Sequence, residues 1–348
     1  MLALCKTEPV EGGGVAVRER EARDAGPGEI RLKVGAAGIC GTDMQIFNWA
    51  PRMARRMKLP RVLGHEVSGV VDQVGEGVTN VALGDHVSLE SHIFCGTCRP
   101  CRLGNAHLCT NTTYPGIDID GAFADYITVP SLIAWKNPKD LPHETGAMLE
   151  PFGISVHACL EGSGVSGLNV LVNGCGPIGL MGISVARALG AARIIASDLN
   201  PLRLKTAEIM GADRVVNADE ENLGDVVRDI TGGEGVDVGI EFSGSELGFR
   251  AVFDSLCKGG DFRLVGGPPS AIPVDFTWWL LKCPRLIPIH GRRIWDTWQR
   301  STELVYSGAV DLKPIQSHIL PLSEAAEGFE LIRRGEAVKP LLVPKGSS

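Results

Sequence analysis

Apolar and polar residues alternate in short runs through roughly the first 150 positions. Glu29-Ile30-Arg31-Leu32-Lys33-Val34 places an apolar side chain at every second residue, and Val67-Ser68-Gly69-Val70-Val71 and His86-Val87-Ser88-Leu89 are similar runs. A two-residue period sends successive side chains to opposite faces and predicts half-buried strands. Gly26-Pro27-Gly28, Gly75-Glu76-Gly77 and Gly84-Asp85 separate the runs with turn chemistry. From about residue 154 the pattern switches. Apolar runs of five or six residues alternate with helical segments, the βαβ signature of a parallel sheet. Six strands are predicted: Asn169–Asn173, Arg193–Ser197, Arg214–Val216, Val236–Glu241, Gly260–Val265 and Arg285–His290. Beyond Gly291 two helices, Trp295–Ser307 and Ser323–Arg334, and a last strand, Leu341–Val343, are expected to return to the first domain. The expected boundaries are 1–153 with 292–348, and 154–291.

Composition narrows the class. The 348 residues suffice for two domains, and 44% hydrophobic with 22% charged residues is ordinary for a globular chain. A net charge of −7 leaves no electrostatic footprint for nucleic acid. The exception is a basic run, Arg52, Arg55, Arg56, Lys58 and Arg61, which reads as a solvated loop or as an attractor of anions. No secretory signal opens the chain and no apolar run is long enough to span a bilayer, so a cytoplasmic protein is expected.

Four of the ten cysteines, Cys95, Cys98, Cys101 and Cys109, stand at C-x2-C-x2-C-x7-C spacing. Four thiolates so close in sequence can close a tetrahedron around one Zn²⁺. Gly96, Pro100 and Gly104 interrupt helical periodicity, so a knuckle at about 90–112 is expected rather than a helix. The other six cysteines are scattered, as in a reducing compartment.

The strand ending at Asn173 runs into Gly174-Cys175-Gly176-Pro177-Ile178-Gly179, a G-x-G-x-x-G match that opens a helix. In that context the first glycine makes the turn, the second lets backbone approach a pyrophosphate at the helix N-terminus, and the third packs helix on strand. Asp198, nineteen residues after Gly179, can accept from ribose hydroxyls and would repel a 2′-phosphate, which favours NAD. Arg203 keeps NADP open or stacks on adenine, and Asp198 could instead cap the following helix.

Upstream of the knuckle, Gly38-Ile39-Cys40-Gly41-Thr42-Asp43 ends one strand segment and Gly64-His65-Glu66 starts another; Glu150 sits at the domain junction. One Cys, one His and one or two carboxylates can hold a second Zn²⁺ with a position left for substrate. Such a metal would lower the pKa of an alcohol oxygen. The Thr42 hydroxyl could start the proton's way out.

Together these motifs resemble the zinc-containing medium-chain alcohol dehydrogenase superfamily over essentially the whole chain. The resemblance implies a GroES-like β-rich catalytic domain and a doubly wound Rossmann domain. It implies two zinc ions per chain, one structural in the four-Cys lobe and one catalytic near Cys40, His65, Glu66 and Glu150. NAD, a small-molecule alcohol substrate and a homotetramer are implied as well. Within the superfamily the chain is similar to the L-threonine 3-dehydrogenase branch, through Ile46-Phe47-Asn48-Trp49, Glu90-Ser91-His92, Gly104–Cys109 and Gly291-Arg292-Arg293 with Trp295 and Trp298. There His92 is implied to lie near the substrate. Two departures point towards polyol or sugar-acid dehydrogenases. Gln45 stands where that branch has a relay histidine, and an amide cannot act as acid or base. Ile154-Ser155-Val156-His157-Ala158-Cys159 looks sorbitol-type. A nucleotide-binding zinc protein without catalysis is the remote alternative. Trp278, Trp279, Trp295 and Trp298 are expected in packing or at a subunit interface.

Overall fold

A computed structural model describes residues 1–345. Two compact units emerge, Met1–Glu150 with the C-terminal segment from Gln316, and Pro151–Ile315. The expected boundaries therefore shift: the segment 292–315 groups with the second unit, not the first.

The first unit opens with β1 (Leu2–Lys6), β2 (Val15–Glu19) and β3 (Glu29–Gly38). Helices α1 (Gly41–Phe47) and α2 (Pro51–Ala54) follow, then β4 (Arg61–Val62), β5 (Glu66–Val74) and β6 (His86–Leu89). After α3 (Arg99–Arg102) come β7 (Tyr126–Pro130), β8 (Ala134–Lys136) and α4 (His143–Leu160), which leads into the second unit. The second unit contributes β9 (Asn169–Asn173), α5 (Pro177–Ala188), β10 (Arg193–Asp198), α6 (Pro201–Ile209), β11 (Arg214–Asn217) and α7 (Leu223–Thr231). It continues with β12 (Val236–Glu241), α8 (Glu246–Ser255), β13 (Leu256–Leu264), α9 (Phe276–Lys282), β14 (Arg285–Pro288) and α10 (Asp296–Tyr306). The chain returns through β15 (Gln316–Pro321), α11 (Ala325–Arg333) and β16 (Lys339–Val343).

In the first unit one sheet runs β15-β16-β3-β5-β6-β8, with β7 also on β3. The predicted alternation appears as burial: along β7, Ile127 and Val129 are buried while their neighbours are partly open. β3 alternates only in its first half. Its second half, Val34 to Gly38, is buried throughout and uses small residues. A Cβ at Gly35 would overlap the ring of His143, so α4 lies directly on this strand. In the same region Ser68 of β5 bonds His86 Nε2 at 2.6 Å and His143 Nδ1 at 3.2 Å, tying sheet to helix. Of the basic run, Arg56 pairs with Asp118 and Arg61 with Asp120, which accounts for both cations.

The second unit is a parallel six-stranded sheet of order β11-β10-β9-β12-β13-β14, numerically 3-2-1-4-5-6 from its first strand. All six predicted strands are present. β13 begins earlier than expected and β14 stops at Pro288. Among the described residues no helix is long and apolar enough to cross a membrane.

Candidate active site and zinc knuckle

Sheet register assembles the first site. β3 and β5 are antiparallel with Gly38 opposite Glu66, and β5 and β6 are antiparallel with Ser68 opposite Ser88. The end of β3, the start of β5 and the end of β6 therefore meet at one edge. Cys40 lies two residues past β3, and His65 immediately precedes β5. Continuing the β5–β6 register sets Glu90 opposite Glu66 and His92 opposite Gly64. Gly64 itself has φ +92°, and a Cβ there would overlap Phe123, so the approach to His65 requires glycine.

At that edge the donor atoms of Cys40, His65 and Glu66 lie within 4.8 Å of one another. Glu150, 4% exposed on α4, stays outside this group of three but acts on it through its charge. His65 Nδ1 and Glu66 Oε1 are buried without a hydrogen-bond partner. Burial alone would lower the His65 pKa, but Asp43, Cys40 and Glu150 outweigh it and hold the ring at about 10. A buried place that binds a proton so strongly favours a cation, and the S, N and O donors match zinc. The residues fit a zinc ion.

Asp43, which sequence reading passed over, is fully buried and accepts the Cys40 backbone N–H at 2.9 Å. Its other oxygen is 3.9 Å from His65 Nδ1. At that distance the carboxylate acts on the ring through its charge rather than through a hydrogen bond. The available signal was its place three residues after Cys40, the N3 position of α1. Thr42 and Gln45 follow on α1, Thr42 half-buried and Gln45 exposed, spaced three residues apart and so on one helix face. His92, 5% exposed, is tightly set: its Nδ1 is 2.7 Å from Glu90 Oε1, which also accepts the His92 backbone N–H, and its ring packs edge-on against Tyr114.

The four cysteines of the lobe also converge. Sγ–Sγ separations are 3.4 Å for Cys98–Cys101, 3.5 Å for Cys95–Cys109 and 3.8 Å for Cys98–Cys109. All are too long for disulfides, and a tetrahedron with Zn–S bonds of about 2.3 Å has edges of about 3.8 Å. The Thr97 hydroxyl and nearby backbone N–H groups pull Cys95 down to about 5, whereas burial and its bonds to Cys98 and Cys109 push Cys101 up to about 12. Thiols so crowded cannot all ionise without a cation among them. The fit to zinc is close here too. The knuckle does contain helical turns, contrary to expectation: α3 starts at Arg99 with Pro100 in its first turn, where a missing N–H costs nothing.

In the second unit Gly174 has φ +91° and no room for a Cβ beside Ser243, and a Cβ on Gly179 would overlap the Gly174 carbonyl. Both glycines answer to the protein's own packing. Gly176 does not: its Cβ would meet nothing within 4 Å. Open space at the N-cap of a twelve-residue helix, with no side chain capping it, is a cradle for a phosphate. Pro177 and Ile178 form the first turn of α5, and Ser155 donates to the Ile178 carbonyl at 2.6 Å. Asp198 does not cap α6; Asn200 does. The Asp198 carboxylate instead accepts from the N–H groups of Cys175, Leu199 and Asn200, and Arg203 lies 3.9 Å away. His157 is held by the Gly291 carbonyl and Glu161, a packing role.

Two family descriptions cover most of the chain: alcohol dehydrogenase GroES-like domain over residues 26–139 and zinc-binding dehydrogenase over residues 177–307. L-threonine 3-dehydrogenase from Bacillus velezensis is 41% identical over 345 residues, 99% of either chain. The chain belongs to the zinc-binding alcohol dehydrogenase family. This dehydrogenase is similar in structure to the alcohol dehydrogenase TADH of Thermus sp. ATN1, with a TM-score of 0.91, 33% identity and coverage of 99% and 100%. Galactitol-1-phosphate dehydrogenase from Escherichia coli follows at 0.90 and 27% identity, again over 99% and 100%. The dehydrogenase is thus an NAD-linked oxidoreductase with zinc as its metal, as the motifs implied.

Proposed function

We propose that this dehydrogenase oxidises the secondary hydroxyl of L-threonine, or of a close polar relative, to a ketone with NAD as acceptor. The observation that carries the reading is the convergence of Cys40, His65 and Glu66, with orphaned donors, in a chain 41% identical to a threonine 3-dehydrogenase end to end. In this reading Cys40, His65, Glu66 and Glu150 hold the catalytic zinc, and Cys95, Cys98, Cys101 and Cys109 the structural one. Zinc at the first site supplies Lewis acidity that makes an alcohol easier to deprotonate. Gly174, Gly176, Pro177, Ile178 and Gly179 cradle the pyrophosphate, while Asp198 and Arg203 serve the adenosine end.

The chain's own residues manage the proton. Thr42 offers a hydroxyl at the start of the path. Gln45, on the same face of α1, passes a hydrogen bond but takes no proton. His92, held through Nδ1 by Glu90, stands in this reading for the basic group that Gln45 lacks. A polyol or sugar-acid substrate is the second reading, favoured by Gln45. The Ser155 stretch supports it less, because Ser155 is engaged with Ile178.

The same reading includes a homotetramer in the cytosol. β14 lies at a sheet edge, and nearby Phe276, Leu280 and Leu281 are more than two-thirds exposed, which suits a mate. Ten free cysteines suit a reducing compartment. Initial rates of NAD⁺ reduction by the zinc-loaded protein, L-threonine against a panel of polyols and sugar acids, test the substrate; sedimentation of the same preparation reads the oligomer. Threonine should win. An inert threonine beside an active polyol would overturn the first reading.

A further inference from the structure

Lys6, the last residue of β1, is fully buried. Its Nζ donates to three backbone carbonyls, Val10 at 2.7 Å, Gly13 at 2.6 Å and Phe47 at 3.0 Å. It also lies 5.5 Å from the centre of the Trp49 ring, close enough for the aromatic face to attract a cation. No carboxylate is among these partners. Burial lowers the Lys6 pKa. Three acceptors nevertheless use all three hydrogens of an ammonium, whereas a neutral amine has only two to give, so the geometry holds the charged form. Several carbonyl oxygens around one positive charge are the surroundings that replace the water shell of a monovalent cation. Here the cation is tethered to the chain.

Two of the carbonyls belong to the loop between β1 and β2, where Glu8 to Gly12 are exposed. The third belongs to the last residue of α1. A helix leaves its final carbonyls without internal donors. The N–H that would reach Phe47 is four residues on, but that residue is Pro51, which has none. The nearer N–H of Ala50 goes to the Gln45 carbonyl at 2.9 Å, and Trp49, at φ +48°, turns the chain away. Lys6 supplies the missing donor, and a cation there also complements the helix dipole. At its other end α1 starts from Cys40, and it carries Thr42 and Gln45. Its seven residues rise about 10 Å, so Lys6 acts on the site by holding the helix and not by touching it. We propose that Lys6 is a positioning residue: its ammonium is the resident cation of a three-carbonyl site that anchors α1 and so sets Thr42 and Gln45 in the proton path. The proposal rests on the proton path given under Proposed function.

The test is chemical rescue in the full-length, zinc-loaded protein, read with the best alcohol of the substrate panel. Lys6→Ala keeps Cβ and empties a space that n-propylammonium matches, with entry through the exposed loop. In this variant kcat should fall by about 10- to 100-fold, the loss that a small displacement remote from the chemistry can cause. The KM for NAD⁺ and the zinc content should stay as in wild type. Propylammonium should restore kcat in a saturable way. Tetramethylammonium, which carries the charge but no N–H, should not, and neither salt should raise the wild-type rate. Lys6→Met fills the space without the charge, so it should lose kcat alike and gain nothing from propylammonium. Should Lys6→Ala not fold, Lys6→Met decides: a lowered kcat with unchanged zinc content and KM for NAD⁺ supports the proposal, and a wild-type kcat overturns it. A loss in Lys6→Ala that propylammonium leaves in place, or that tetramethylammonium repairs equally, also overturns it. A wild-type kcat in Thr42→Ala overturns the proton path itself, and the proposal with it, whatever propylammonium does.

Discussion

The two candidate metal sites of the first unit are built in opposite ways. The knuckle draws four identical donors from fifteen consecutive residues, and three of its cysteines are only partly buried. The Cys40–His65–Glu66 site draws three different donors from two strand ends, with Glu150 from α4 and Lys339 from β16 around it. The knuckle sulfurs stand near the edge lengths of one tetrahedron and accept nearby backbone N–H groups, so four donors already close the set. The buried site leaves His65 Nδ1 and Glu66 Oε1 unsatisfied. A closed set stabilises a loop, whereas an incomplete set leaves room for chemistry.

That contrast can be broken most directly by removing one cysteine from each site. Cys40→Ala should lower kcat by ~1000-fold or more, as expected when Lewis-acid stabilisation of several kcal/mol is lost. The protein should keep one zinc and its fold. Cys98→Ser should also lose one zinc, but through the structural site. It should destabilise the protein by several kcal/mol, of the ~10 kcal/mol a structural zinc can contribute, with residual turnover at low temperature. Zinc content, thermal unfolding and rates read all three effects. Equal loss of turnover with unchanged stability in both variants would erase the distinction.

A smaller effect is expected at Asp43. Asp43→Asn removes the charge behind His65 but keeps its shape, and should weaken catalytic zinc by about 10- to 100-fold in chelator competition. The knuckle zinc should be unaffected. Equal affinity at both sites before and after the change would mean that Asp43 only caps α1.

The smallest effect is a pH dependence confined to the sheet beneath the buried site. Burial holds His86 and His143 below the ordinary histidine range, and their mutual repulsion lowers His86 further. The unfolded chain takes up protons near pH 6.5 and the folded one only at lower pH. Stability is therefore full above about pH 6.5 and falls as pH drops below it, by at most about 1.4 kcal/mol per unit for each ring. Urea unfolding at pH 7 and pH 5.5 should show the loss, and His86→Gln should flatten it. A slope identical in wild type and variant would assign the acid sensitivity elsewhere.

Local patterns were legible because local physics sets them. The C-x2-C-x2-C-x7-C spacing is a chain-length statement about which sulfurs can reach one ion. The G-x-G-x-x-G turn is a steric statement, and Gly174 and Gly179 meet it with clashes that any side chain would create. Strand alternation and the βαβ rhythm follow from periods of two and 3.6 residues. Gly38-Ile39-Cys40 and Gly64-His65-Glu66 were readable as ligand candidates for the same reason, as short motifs at strand ends.

What the tertiary structure decided is everything that depends on register between distant strands. Lys339, which pairs with Glu66, lies 273 residues from it in sequence, and no local pattern marks the two as partners. Only the pairing of β16 on β3 and β3 on β5 brings the two together, in a space that Gly38 leaves empty. The same holds for the Ser68–His86–His143 link, and for Asn200 rather than Asp198 capping α6. It also grouped α10 with the second unit, which its place late in the chain did not announce. The sequence by itself determined which residues could bind metal and dinucleotide. The fold decided which of those groups are buried together, and burial is what turns a carboxylate, an imidazole and an ammonium from solvated charges into a site.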